Sequence, residues 1–123
     1  MAKVKQLTVA LENRPGTLAH MAKVLADAKV NVLALLCSAA VGQGSVQVVV
    51  DNVNKAKKAL GAAGLSYTEG VLEHIELANK PGTLAELAGR LAKKGINIDC
   101  VYATMPKGAK KAVVVLALSG PTL

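Results

Sequence analysis

The sequence predicts an α+β chain built from two tandem copies of one β-α-β-β-α-β unit, the second copy lacking its last helix and strand. Three observations carry this prediction. The run Asn13-Arg14-Pro15-Gly16-Thr17-Leu18-Ala19 returns 66 residues later as Asn79-Lys80-Pro81-Gly82-Thr83-Leu84-Ala85, and eleven of the 21 positions from Leu11 to Asn31 are identical to their partners. In each copy an alternating apolar pattern gives way to helical spacing at that same run. After Leu118 only Ser119 to Leu123 remain, so nothing matches Asn52 to Val71. The expected domains are therefore 1–71, complete, and 72–123, truncated.

Each element follows from its residues. Lys5 to Leu11 alternates, with Leu7, Val9 and Leu11 on one side and Gln6, Thr8 and Ala10 on the other, as a half-buried strand does. Asn13 to Thr17 is a turn in which Pro15 is preset for a first helical turn and Gly16 leaves the backbone uncovered. Leu18, Met21, Ala22, Leu25 and Ala28 form one helical stripe. Asn31 to Ser38 and Ser45 to Val50 are strands joined by the turn Gly42-Gln43-Gly44-Ser45. Asp51 or Asn52 caps a second helix with the stripe Val53, Ala56, Leu60 and Ala63, and Gly64 suits its left-handed end. Ser66 to Val71 is a fourth strand.

The second copy starts almost at once with the strand Val71 to Leu77. Leu84, Leu87, Ala88 and Leu91 repeat the helix stripe, and Gly95 ends that helix before Ile96-Asn97-Ile98. Val101 to Met105 and Ala112 to Leu118 make a hairpin that turns at Pro106-Lys107-Gly108. Without a second helix, this copy is expected to bare part of its apolar sheet face and a strand edge for another chain or for the first copy to cover.

The bulk properties narrow the setting. The core must be built from Ala, Val and Leu, because Trp and Phe are absent and the aromatics are Tyr67 and Tyr102. The net charge of +7 comes largely from lysine clusters at 55, 57 and 58, at 93 and 94, and at 107, 110 and 111, which read as solvated faces. Cys37 and Cys100 do not correspond under the repeat and have no zinc-like spacing, so two buried free thiols in a reducing cytoplasm are expected. Val30 to Val50 is uncharged for 21 residues, but its polar residues and glycine turn suit two strands better than a spanning helix. No secretory signal is read at the N-terminus. Cytoplasmic location without membrane attachment is the expectation.

The motif Asn-x-Pro-Gly-x-Leu, opening a helix that leads to Val-Asn-Val or Ile-Asn-Ile, resembles the ACT domain, and both copies carry it. The chain resembles small stand-alone proteins made of two ferredoxin-like ACT domains and no enzyme. The resemblance implies a non-catalytic regulatory protein with an amino-acid effector held at the seam between ACT domains, pairing into a homodimer. It implies ligand contacts from Asn13 and Asn31 in one copy and Asn79 and Asn97 in the other. Around them stand the rest of the motif, Arg14, Pro15, Gly16, Thr17 and Leu18, then Lys80, Pro81, Gly82, Thr83 and Leu84. Serine-binding members place a histidine two residues before the loop asparagine. Here Leu11 and Leu77 stand there, which favours a more apolar amino acid over serine.

The residues themselves suit that role. Backbone N–H groups at a helix start attract a carboxylate, Gly16 and Gly82 permit close approach, and asparagine offers donor and acceptor together. The same residue types also make turns and caps that bind nothing, and Asn31 and Asn97 can equally close the preceding helix.

Other functions have less support. His20 and His74 are not tied by spacing to a nucleophile or carboxylate, so no catalytic residue is expected. No metal ligand set or phosphate-binding loop occurs, and no cofactor is expected. RNA recognition on such a sheet relies on aromatic stacking, whereas the middle strands offer Val48, Val49, Val114 and Val115, so nucleic acid is not an expected partner. A regulatory subunit that docks on a metabolic enzyme is the main alternative to a stand-alone sensor.

Overall fold

The structure is a computed structural model that describes residues 2–40, 43–104 and 106–120. Its elements run β1 (Ala2–Glu12), α1 (Thr17–Asp27), β2 (Val32–Ala40), β3 (Gln43–Val50), α2 (Val53–Ala62), β4 (Tyr67–Ala78), α3 (Thr83–Lys93), β5 (Asn97–Thr104) and β6 (Lys111–Ser119). They form two compact units, Lys5–Gly70 and Met1–Val4 with Val71–Leu123. One strand, β4, serves as the last of the first copy and the first of the second, so the two expected strands around Val71 are continuous.

Within Lys5–Gly70 the strands lie in the order β2-β3-β1-β4. β1 and β3 are antiparallel, with Leu7 opposite Val48 and Val9 opposite Val46. Those four side chains are completely buried and share one core with Met21 and Leu25 of α1 and Ala56 and Leu60 of α2. Both helices therefore cover the same sheet face, and the alternation of β1 meets the 3.6-residue stripes of the helices there.

Within the other unit the order is β1-β4-β6-β5, with β1 represented by its first residues. Its core joins Leu77, Val114 and Leu116 to Leu87 and Leu91 of α3. β1 begins three residues before the expected strand because Ala2–Val4 lies beside β4, supplying the neighbour that this copy was expected to lack. The strands of this unit do bare apolar side chains, with Val71 59%, Val101 44% and Val113 40% exposed, but one position that is apolar in the first copy is charged here. The fully buried Leu7 of the first copy corresponds to Glu73 in the second, and Lys3 Nζ is 2.8 Å from the Glu73 carboxylate. An ion pair thus stands where the first copy has an apolar side chain under helices. The Lys3 side chain is 72% exposed while that of Glu73 is 16% exposed, so the pair reaches water through its lysine end.

The helix ends repeat as well. At α1, Lys29 N–H donates to the Ala26 carbonyl and Val30 N–H to the Leu25 carbonyl, at 2.9 Å each. Gly64 and Leu65 close α2, and Gly95 and Ile96 close α3, with the same pattern. The residue at the turn is left-handed each time, with φ of 60° at Lys29, 73° at Gly64 and 72° at Gly95. Asn52 caps α2 by accepting from Lys55 N–H at 3.1 Å. The bulges in β2 and β5 also correspond, between Val32 and Ala34 and between Ile98 and Cys100.

Three local expectations change. Gln43, Gly44 and Ser45 are already in β3, so they are not turn residues; Gly42 lies outside the described residues, as does Met105. Pro15 precedes the helix rather than opening it, because Gly16 is the N-cap and takes a left-handed φ of 91°. The thiols are free, but Cys37 is exposed and Cys100 half-buried. Both sit on strands at the end of the strand order among the described residues.

Among the described residues no helix is long and apolar enough to cross a membrane.

Candidate functional site

The two repeated loops have nearly the same backbone. In the first, Arg14 N–H donates to the Glu12 carbonyl at 3.0 Å, and the Thr17 hydroxyl donates to the Glu12 and Arg14 carbonyls at 2.8 and 3.1 Å. In the second, Lys80 N–H donates to the Ala78 carbonyl at 2.9 Å, and the Thr83 hydroxyl reaches the Ala78 and Lys80 carbonyls at 2.8 and 3.2 Å. The threonine ties the end of the strand to the start of the helix. Gly16 and Gly82 follow with φ of 91° and 93°, a conformation that glycine adopts without the Cβ penalty. Neither N-cap glycine has a side chain, so neither α1 nor α3 has a side-chain cap on its first N–H groups.

A cavity of ≈ 420 Å³ opens at the first loop, entirely within the unit Lys5–Gly70. β1 contributes Ala10, Leu11 and Glu12; the turn contributes Arg14 to Thr17; α1 adds His20 one helical turn after Gly16. The opposite wall is Gly64, Leu65 and Ser66, the connection from α2 to β4, held by Ala10 N–H donating to the Ser66 carbonyl at 3.0 Å. Arg14 Nε is 2.6 Å from Glu12 Oε2, so the rim carries both signs of charge in a solvated pair. The wall is apolar at Leu11 and Leu65, while Gly16 and the start of α1 form one edge. Such a recess can accept a small molecule that carries an anion, a cation and an apolar portion.

The residues expected from sequence divide unequally around this recess. Arg14, Pro15, Gly16 and Thr17 line it. Asn13, Leu18 and Asn31 are not among its lining residues; Leu18 is exposed. Asn31 is held through its backbone, its N–H donating to Asp51 Oδ1 at 2.9 Å and its carbonyl accepting from Asp51 N–H at 3.0 Å. In the second copy, Asn79 Nδ2 donates to the Ala109 carbonyl at 2.9 Å and Asn79 N–H to the Lys110 carbonyl at 2.9 Å, which pins the loop to the β5–β6 hairpin. Asn97 Nδ2 donates to Asp99 Oδ1 at 2.7 Å, and the Ser119 hydroxyl reaches the same oxygen at 3.0 Å. Lys80, Pro81, Gly82 and Leu84 are exposed at the second loop.

Sequence reasoning missed Glu12, His20 and the wall Gly64–Ser66. Glu12 and His20 flank the motif at distances a turn and one helical turn bring together, which is a usable signal. The wall has none, because it lies far along the chain and reaches the loop only through sheet pairing. His20 is exposed and His74 is half-buried in β4 opposite Val115. Among the described residues no cluster of His, Cys, Asp and Glu is arranged to hold a metal.

Compared with known families, residues 2–118 match the model described as an ACT domain pair. No curated protein sequence matches the chain. Among solved structures, a protein from Bacteroides thetaiotaomicron is 30% identical with a TM-score of 0.90, over 96% of this chain and 81% of that one. The ligand-free regulatory subunit of aspartate kinase from Thermus thermophilus has a TM-score of 0.70 at 15% identity, over 94% of this chain and 87% of that one. The regulatory subunit of aspartate kinase from Thermus flavus has a TM-score of 0.59 at 16% identity, over 94% and 84%. The last two likenesses show the fold.

Proposed function

The chain belongs to the ACT domain pair family, and on that premise we propose that it is a regulatory protein that binds an amino-acid effector at its first loop and catalyses no reaction. The carrying observation is the cavity beside the start of α1, where an uncapped helix N-terminus and Arg14 face the same recess as Glu12. The effector's carboxylate is met by the N–H groups of α1 and by Arg14. Its ammonium is met by Glu12, and its side chain by Leu11 and Leu65. Asn13, in the loop, and Asn31, just before β2, belong to this proposal although neither lines the cavity.

A thermal-shift screen against the twenty amino acids tests the reading. A ligand held at about 100 times its dissociation constant stabilises the folded chain by about 2.7 kcal/mol. The hit should be lost in Glu12→Gln. If none of the twenty raises the melting temperature, the effector reading fails.

The proposed assembly is a homodimer in the cytoplasm. Support comes from β2, which ends the strand order of its unit, has no charged residue from Val32 to Ala40, and leaves Val32, Leu33 and Leu35 exposed. An uncharged edge strand of that kind invites pairing with another strand. Sedimentation that finds a monomer at all concentrations would overturn the dimer. An enzyme partner is a second reading, prompted by the fold shared with regulatory subunits of aspartate kinase. Co-purification from cells tests it.

A further inference from the structure

We infer that the chain binds one effector, at the first loop alone, and that Glu86 closes the second loop to it. This deepens the amino-acid reading above and rests on it. Because the two loops share their strand-to-helix bonds and their left-handed glycines, those features cannot distinguish them. The side chains can. Under the 66-residue shift Glu12 becomes Ala78, Arg14 becomes Lys80 and His20 becomes Glu86.

Glu86 lies in the first turn of α3, whereas α1 has no acidic residue there. A carboxylate on the first turn satisfies the positive end of the helix and repels a second anion from it. The effector's carboxylate therefore meets its own sign of charge at the second loop and an imidazole at the first. The carboxylate that would hold the ammonium is replaced by the methyl of Ala78.

The Asn79 side chain of the second loop is engaged with the β5–β6 hairpin through the Ala109 carbonyl at 2.9 Å. Glu12 and His20 are then the specificity-determining residues of the pair, although neither belongs to the repeated motif.

The experiment is an amide-resolved NMR titration of the full chain with an equimolar mixture of the twenty proteinogenic amino acids. The expected result is a saturable shift of the Gly16, Thr17, His20 and Leu65 amides, with Gly82, Thr83 and Glu86 unmoved. Comparable saturable shifts at both loops overturn the single-site inference and leave the amino-acid reading standing. No shift at either loop overturns that reading and the inference with it. His20→Glu gives the first loop the charge of the second. It should weaken binding about tenfold while the remaining amide spectrum stays folded. Unchanged affinity in that variant overturns the role assigned to first-turn charge.

Discussion

The Asn79 side chain donates to the carbonyl of Ala109 across 2.9 Å, joining the second repeated loop to a hairpin 30 residues further on. Asn79→Ala removes this bond and leaves a half-buried carbonyl to find water. We expect a loss of about 1 kcal/mol in stability, read as a lower midpoint in urea. Effector affinity should be unchanged. A loss of affinity at undiminished stability would return Asn79 to the ligand.

Lys29 holds a left-handed φ of 60° at the end of α1, where the second copy has Gly95 at 72°. A side chain in that region carries a steric cost that glycine avoids, partly offset by the freedom glycine has when unfolded. Lys29→Gly is expected to stabilise the chain by about 0.5–1 kcal/mol. A fall in the melting temperature would show that the lysine side chain contributes more than its strain costs.

Gly16 poses the reverse case. A Cβ added there meets no atom within 4 Å, so the cost of Gly16→Ala is conformational rather than a clash. With φ at 91°, the variant should lose about 1–2 kcal/mol. Gly82→Ala should lose a similar amount, since its φ is 93° with equal space. Unequal losses in chemical denaturation would show that the two loops are not mechanically equivalent.

Glu69 accepts hydrogen bonds from Lys57 and Lys5, which hold its carboxyl below the usual range, the Lys57 bond being the larger cause. The ion pairs measure 2.8 Å to Lys57 and 3.3 Å to Lys5. A carboxyl lowered on folding binds its proton more tightly in the unfolded chain. Its stabilisation is therefore present above the unfolded value and lost as pH falls through the folded one. The same Glu69 bond raises Lys57, whose part is present below its unfolded value and lost as pH rises through the folded one. Urea midpoints should drop for the wild type as pH is lowered below about 4. Glu69→Gln should show a shallower drop, and an unchanged slope would mean that other carboxylates govern acid unfolding.

The sequence by itself determined the repeat, the order of elements and the backbone of both loops. Pro-Gly-Thr sets the turn, a left-handed glycine admits the helix, and Gly64 and Gly95 end theirs, because these depend on the conformational preferences of a few neighbouring residues. Only the tertiary structure decided what those loops face. It brought Gly64–Ser66 against the first loop, set the Ala2–Val4 end of β1 beside β4, matched Lys3 to Glu73, and engaged Asn79 with the β5–β6 hairpin. One of the two runs borders a cavity, and the other holds a hairpin through Asn79. The contacts that make these surroundings span tens of residues of chain, and no local preference encodes such contacts.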